Sequence, residues 1–262
     1  MKSEEAYSIL DIVSESEGQG VVLTRSGSIC VSFELREPEC YSLTPEDIDR
    51  RDGMFREAFK FLPDGTYVHK QDVFLKERYC PDIAGGSFLD RADARHFRGR
   101  LYVSHTCVMH FVLSGLKSLE KAYISSPLSY KENLHKEDLA RLDEFLEGVD
   151  IIRSMRDTEI APMSGQEMRD FTAGYTTLFD APGAVVDIHA DTELRTGKKR
   201  ARCFAVCDEI FLPDGSLDSC VRDDSLPPAG SLLYHPMLEQ LGMYLPYNHI
   251  VNQVVFFEGN GR

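Results

Sequence analysis

Val103-Ser104-His105-Thr106-Cys107-Val108-Met109-His110-Phe111-Val112-Leu113 decides the fold. β-Branched and aromatic residues dominate it, so it reads as the strongest strand of the chain. Alternation sets His105, Cys107 and Met109 on one face and Thr106, Val108 and His110 on the other. The two histidines, five positions apart, therefore point to opposite sides and cannot chelate one metal on this strand. No His-Glu-x-x-His and no His-x-x-x-His spacing replaces that pair. Each histidine reads as a satisfied buried or edge side chain rather than a ligand.

Upstream, Val21 to Arg25 and Ile29 to Leu35 are strand-like runs joined by Ser26-Gly27-Ser28, a short N-terminal β-hairpin. Thr44-Pro45-Glu46-Asp47 then supplies a helix cap, a proline in the first turn and acids at the positive end of the dipole. Ile48, Phe55, Phe59 and Leu62 follow at helical spacing, and Pro63-Asp64-Gly65 stops that helix. Thr66 to Phe74 reads as a strand with Tyr67, His69 and Gln71 on one face and Val68, Lys70 and Asp72 on the other. Ser87 to Phe97 reads as a short helix.

Downstream, Gly115 to Leu134 is polar and reads as a loose crossover. Lys136 to Met155 is the clearest helix, with Leu139, Leu142, Leu146, Val149 and Ile152 on one stripe. Ser164-Gly165-Gln166-Glu167 reads as a capping box for a helix through Leu178. Val185 to Ile188, Arg202 to Phe211 and Ile250 to Phe257 are further strands, and Met237 to Tyr244 a short helix closed by Pro246. This order predicts an α+β fold, a mainly antiparallel sheet with helices packed on it. Residues 1–40 are expected to form the hairpin subdomain and residues 41–262 the main domain.

The chain has 262 residues, 42% of them hydrophobic, and a net charge of −14. Such an acidic balance argues against a general nucleic-acid binder and against unaided binding to anionic lipid. No apolar run approaches the roughly 20 residues that span a bilayer. The N-terminus is acidic and lacks an apolar signal core, so the expected location is the cytoplasm. Seven cysteines at irregular spacing suggest no disulfide framework. Cys30, Cys107, Cys203 and Cys207 lie in apolar runs and read as small buried hydrophobes.

Arg202-Cys203-Phe204-Ala205-Val206-Cys207-Asp208-Glu209 has the outline of a nucleotide-motor strand, whose acids would hold magnesium and orient a water. No phosphate loop accompanies it. The one Gly-Lys pair is Gly197-Lys198. Thr192 and Glu193 stand where the loop's first glycine belongs, and Lys199 stands where Ser or Thr belongs. Nothing of that kind cradles a phosphate, so no nucleotide site and no cofactor is expected. The bland reading of Asp208-Glu209 is a strand running into the turn at Leu212-Pro213-Asp214-Gly215.

His189, Asp191, Asp208 and Glu209 could instead serve an acidic hydrolase with a divalent metal, provided all four converge on one pocket. Lys198, Lys199, Arg200 and Arg202 form a basic patch, whose bland reading is a solvated hairpin turn and whose sharp one is a nucleic-acid clamp. His69-Lys70-Gln71-Asp72 is unusually polar for a strand, which suits a sheet edge or a contact surface. Leu238, Leu241 and Tyr244 offer a second apolar contact face. The candidate partner-contact residues are therefore His69, Lys70, Asp72, Leu238, Leu241 and Tyr244.

Four segments together resemble the N-terminal region of TraG-family conjugation ATPases, of the VirB/CagE class of type IV secretion ATPases. They are Val68-His69-Lys70-Gln71-Asp72-Val73-Phe74 with Tyr79; Phe88-Leu89 through His96-Phe97; His105-Thr106-Cys107; and Tyr247-Asn248-His249-Ile250-Val251-Asn252-Gln253. They occur in the family's order. The resemblance implies a cytoplasmic motor, peripheral at the inner membrane, whose N-terminal half docks onto membrane partners and neighbouring subunits. It also implies a C-terminal P-loop ATPase half using ATP and magnesium. That half has no matching positions here, so the chain is expected to be the non-catalytic docking part, ending before the motor.

Overall fold

The computed structural model describes residues 9–14, 18–24, 26–36, 44–81, 87–116, 135–155, 159–177, 179, 189–190, 194–196, 199–203 and 248–256. The fold is α+β. Strands β1 (Ile9–Ser14), β2 (Gly20–Thr24), β3 (Ile29–Arg36), β4 (Thr66–Arg78), β5 (Leu101–Leu113), β6 (Glu159–Pro162) and β10 (His249–Phe256) make a seven-stranded sheet. Its order is β1-β2-β3-β5-β4-β10, every pairing is antiparallel, and β6 also pairs with β3. The short strands β7 (His189–Ala190), β8 (Leu194–Thr196) and β9 (Lys199–Ala201) form a second sheet.

The N-terminal hairpin is present, and β1 extends it to a three-stranded meander. It is not set apart at residue 40. β3 pairs with β5 from Ile29↔Leu113 to Leu35↔Cys107, so the expected subdomain is one side of the main sheet. Burying β3 on both faces needs partners from later in the chain, which a local pattern does not reveal.

Four helices lie among the described residues: α1 (Pro45–Phe59), α2 (Phe88–Phe97), α3 (Lys136–Arg153) and α4 (Gly165–Thr176). Three open with a reciprocal cap. Thr44 with Asp47, Ser87 with Asp90 and Ser164 with Glu167 each exchange side-chain and backbone hydrogen bonds, satisfying donors that the first turn leaves free.

One sheet face carries the main core. Ile29, Val31, Phe33 and Leu35 of β3 and Cys107, Met109, Phe111 and Leu113 of β5 meet Phe55, Ala58 and Phe59 of α1 and Phe145, Val149 and Ile152 of α3. Phe111 is central, packed edge-on against both Phe33 and Phe59. The buried stripe of α3 runs through Phe145, Val149 and Ile152, while Leu139 is 41% exposed and lies off the core. Arg141 fastens α3 to two loops by donating to the carbonyls of Asp64, Ser114 and Gly115.

The opposite face is covered by α4. Met163 and Met168 pack on Val22, Cys30, Val108 and Val112, with Tyr67 and Phe171 beside them. β2 and β6 share one side of β3, end to end. Gln19 bridges their junction, its Nε2 within 3.2 Å of the Ser32 carbonyl and 3.3 Å of the Met163 carbonyl.

Val185–Ile188, Met237–Tyr244, most of the 115–134 crossover and residues 204–211 of the expected Arg202–Phe211 strand lie outside the described residues. Within that last stretch, Arg202 and Cys203 follow β9 without being strand, and Cys203 is exposed. The expectation that Cys203 is buried is thereby corrected, because the β8–β9 ladder ends at Ala201, two residues before it.

Candidate functional site

The polar stretch His69-Lys70-Gln71-Asp72 lies in the middle of β4. The expectation that it forms an edge is overturned. β5 flanks β4 on one side and β10 on the other, with Asn252↔Gln71 and Gln253↔Lys70 in register. Lys70 is 0% and Asp72 3% exposed, so neither is offered to a partner as a contact surface. The strand that covers this edge comes from the far end of the chain, which explains why the local sequence looked solvated.

Alternation then divides the stretch between two polar clusters, one on each sheet face. On the main-core face the Lys70 Nζ lies 3.1 Å from Asp72 Oδ2, and His105 Nε2 donates to Asp72 Oδ1 at 2.9 Å. Burial alone would push the Asp72 carboxyl up. The His105 hydrogen bond and the charges of Lys70 and His105 outweigh it and hold the group below the usual carboxylate range. Phe74 lies beside them between two imidazoles, stacked on His105 at 4.5 Å and on His249 at 4.6 Å.

On the other face the chain Ser32–His110–Gln71–Asn252–His69 crosses four strands. Ser32 Oγ is 2.6 Å from His110 Nδ1, and His110 Nε2 is 2.8 Å from Gln71 Oε1. Gln71 Nε2 donates to Asn252 Oδ1 at 2.7 Å, and His69 Nε2 reaches the same oxygen at 3.0 Å. An amide oxygen only accepts, so His110 carries its proton on Nε2 and accepts from the Ser32 hydroxyl on Nδ1. Burial, with a smaller push from His69, lowers the His110 pKa to about 3, so the ring stays neutral. Burial likewise lowers His69, partly offset by its bond to Asn252.

Serine, imidazole and amide in a row have the order of a nucleophile, a base and an orienting group. Accessibility decides against that chemistry. Ser32 is 0% exposed, beneath the junction bridged by Gln19 and Met163, so no substrate carbonyl can approach its oxygen. What the row does accomplish is to pair the buried Ser32 hydroxyl and Gln71 amide, run out to the exposed Asn252, and lock the register of β3, β5, β4 and β10. The sequence hinted at it through Ser32 and His110, polar residues within apolar strands, but gave no sign that Asn252 would complete it.

His105 and His110 do point to opposite faces, each with its own partner. Among the described residues no three His, Cys, Asp or Glu side chains cluster as a metal site. Of the four hydrolase candidates only His189 is described, in β7 of the small sheet; Asp191, Asp208 and Glu209 lie outside the described residues. Leu238, Leu241 and Tyr244 lie outside as well. Of the basic patch, Lys199 and Arg200 sit on β9, paired with β8 as the expected hairpin, and Lys199 Nζ donates to the Phe179 carbonyl at 2.9 Å. Lys198 lies outside the described residues.

The exposed apolar surface lies elsewhere. Beyond Phe74 and Cys107 neither β10 nor β3 accompanies β4 and β5. Leu75–Arg78 and Leu101–Ser104 continue as a two-stranded arm with α2 inserted at its tip. Phe88, Leu89 and Leu101 are 76%, 73% and 63% exposed, and Ala94 alone of α2 is buried. The composition of Ser87–Phe97 predicted a helix but gave no indication that its apolar residues would face outward.

No helix among the described residues is long and apolar enough to cross a membrane. No protein-family model matches the chain, and no curated protein matches it.

Proposed function

We propose that this chain is the non-catalytic N-terminal domain of a conjugative-transfer ATPase, docking the motor onto inner-membrane components of a type IV secretion complex. One observation carries the reading. The four segments behind the TraG-family resemblance, scattered over residues 68–253, fall on β4, α2, β5 and β10, which are continuous in space: β5, β4 and β10 are consecutive in the sheet and α2 joins two of them. A resemblance spread along the chain but gathered on one structural unit is what a shared domain produces. The polar clusters support the same view, since they fix strand register and their one hydroxyl, that of Ser32, is enclosed. In this reading ATP and magnesium belong to the motor half alone, the motor half and neighbouring subunits are partners, and the domain sits in the cytoplasm, held at the membrane through its partners.

A dominant-negative mating assay tests the proposal. Expression of this chain in a donor cell that carries a matching conjugative element should lower transfer by occupying the docking partner without supplying a motor. Transfer unchanged at high expression of the folded chain would overturn it. Purified chain should show no ATP turnover; turnover abolished by Asp208→Ala would overturn the non-catalytic assignment.

A further inference from the structure

The arm of β4, α2 and β5 is chemically unlike the rest of this acidic chain. Its described residues, Leu75–Pro81 and Ser87–Tyr102, hold six lysine or arginine side chains against three carboxylates, whereas the whole chain carries −14. Arg91, Arg95 and Arg98 are exposed and make no ion pair with a described residue. The arm is nevertheless built firmly. Tyr79 N and O bond Arg100 O and Gly99 N at 2.9 and 2.8 Å, Arg78 donates to the Gly99 carbonyl, and the Arg100 guanidinium covers the Phe97 ring at 5.0 Å. A tip that shows Phe88 and Leu89 together with the exposed Arg91, Arg95 and Arg98 has the composition of a binding surface.

The complementary surface is on the same molecule. α3 carries six acids and three bases, and two of those bases are engaged: Arg141 on loop carbonyls and Arg153 with Asp150. Asp143, Glu144 and Glu147 lie along its exposed side and make no ion pair with a described residue, and Leu139 adds an exposed apolar spot on the same helix. We propose that the arginine-and-phenylalanine tip of the arm docks on the acidic outer face of α3 of a second copy of this chain. The two surfaces are different, so the contact is head-to-tail and can propagate around a ring. An anionic membrane is the other surface that exposed arginines could meet, and the experiment distinguishes the two. The inference names the surfaces for the neighbouring-subunit contact of the proposed function and rests on that part of it, while a mating assay and an association assay answer separately.

Sedimentation velocity of the wild-type chain should show concentration-dependent association at about 0.1 M salt that fades near 1 M, where the Debye length shrinks from about 10 Å to about 3 Å. Arg91→Glu with Arg95→Glu, or Glu144→Arg with Glu147→Arg, should each weaken self-association about tenfold or more by setting like charges face to face. These positions are exposed, and circular dichroism checks that each variant stays folded. Mixing the two variants should restore association, because each then supplies the surface the other lacks. A chain monomeric at all salt concentrations, association indifferent to both reversals, or mixing that restores nothing would overturn the proposal. So would arm-dependent binding to phosphatidylglycerol vesicles by a chain that does not self-associate.

Discussion

Asp72 shows how one buried carboxylate is maintained. Its partners are Lys70, itself fully enclosed, and His105. Removing the acid leaves an ammonium inside the protein with its main counter-charge gone, so Asp72→Ala should cost about 3–5 kcal/mol, read as a fall in the urea midpoint. Replacing the pair together, Lys70→Met with Asp72→Leu, should cost much less, because the penalty comes from the orphaned charge. His110 gives the matching pH prediction. The unfolded chain protonates this ring near its ordinary value of 6.5, but the folded chain keeps it neutral down to about 3. Between those values the unfolded state binds more protons, so stability is full above that upper value and falls as the solution is acidified, by up to about 1.4 kcal/mol per pH unit. His69, also lowered, acts in the same direction. Asp72 adds stability that is present above 3.8 and is lost as pH falls through its depressed folded value. Denaturation at about pH 7.5 and about pH 5 should therefore show a loss in the wild-type chain that His110→Gln reduces.

At the scale of elements, three glycines separate sterics from propensity. Gly53 in α1 has open space where a Cβ would go, so Gly53→Ala should gain about 0.5–1 kcal/mol from helix propensity alone. A Cβ on Gly20 would meet Met168 Sδ at 2.6 Å and the Gly165 backbone at 2.7 Å, where the start of α4 lies against β2. Gly20→Ala should cost about 1–3 kcal/mol by lifting that helix. Gly148, in α3, faces Leu62 Cδ2 at 2.9 Å and the Phe61 carbonyl at 3.0 Å, so the gain in propensity is opposed by the clash with the turn that follows α1. Thermal melts of the three variants rank these contributions; stabilisation by Gly20→Ala would refute the close approach. Elements whose signals are local were legible in the sequence. Thr44, Ser87 and Ser164 announce helix starts through their own hydrogen bonds, and Ser26-Gly27-Ser28 announces a turn. What could not be read were pairings made across long separations. β6 is four residues long with no alternation to mark it, and His69-Lys70-Gln71-Asp72 looks like a solvated edge until β10 is laid beside it. The stretch was thus legible as unusual but given the wrong surroundings, because burial of Lys70 and Asp72 is a property of the assembled sheet.

For the molecule as a whole, the sheet divides by how its strands are held. β3 and β5 are covered on both faces, by α1 and α3 on one and α4 on the other, and carry nearly half of the buried apolar side chains of the two cores. β10 has β4 as its sole strand neighbour among the described residues, and Val254 on it is 45% exposed. Its attachment relies on ladder bonds and on two asparagines: Asn248 Oδ1 accepts from the Lys76 N–H at 2.9 Å, and Asn252 Oδ1 accepts from both Gln71 and His69. Local opening should therefore begin at β10, the strand that turns β4 from an edge into an interior strand. Asn252→Ala removes the acceptor shared by the Gln71 amide and the His69 ring at an exposed position that water can reach, a loss of about 0.5–1.5 kcal/mol. If β10 opens separately from the core, hydrogen exchange in that variant should accelerate at residues 249–256 and along 67–74 of β4, while 107–113 of β5 keep their protection. Acceleration of all three segments by one factor would mean that β10 is locked into the same cooperative unit as the core, and that the Lys70–Asp72 pair is exposed to water only on global unfolding.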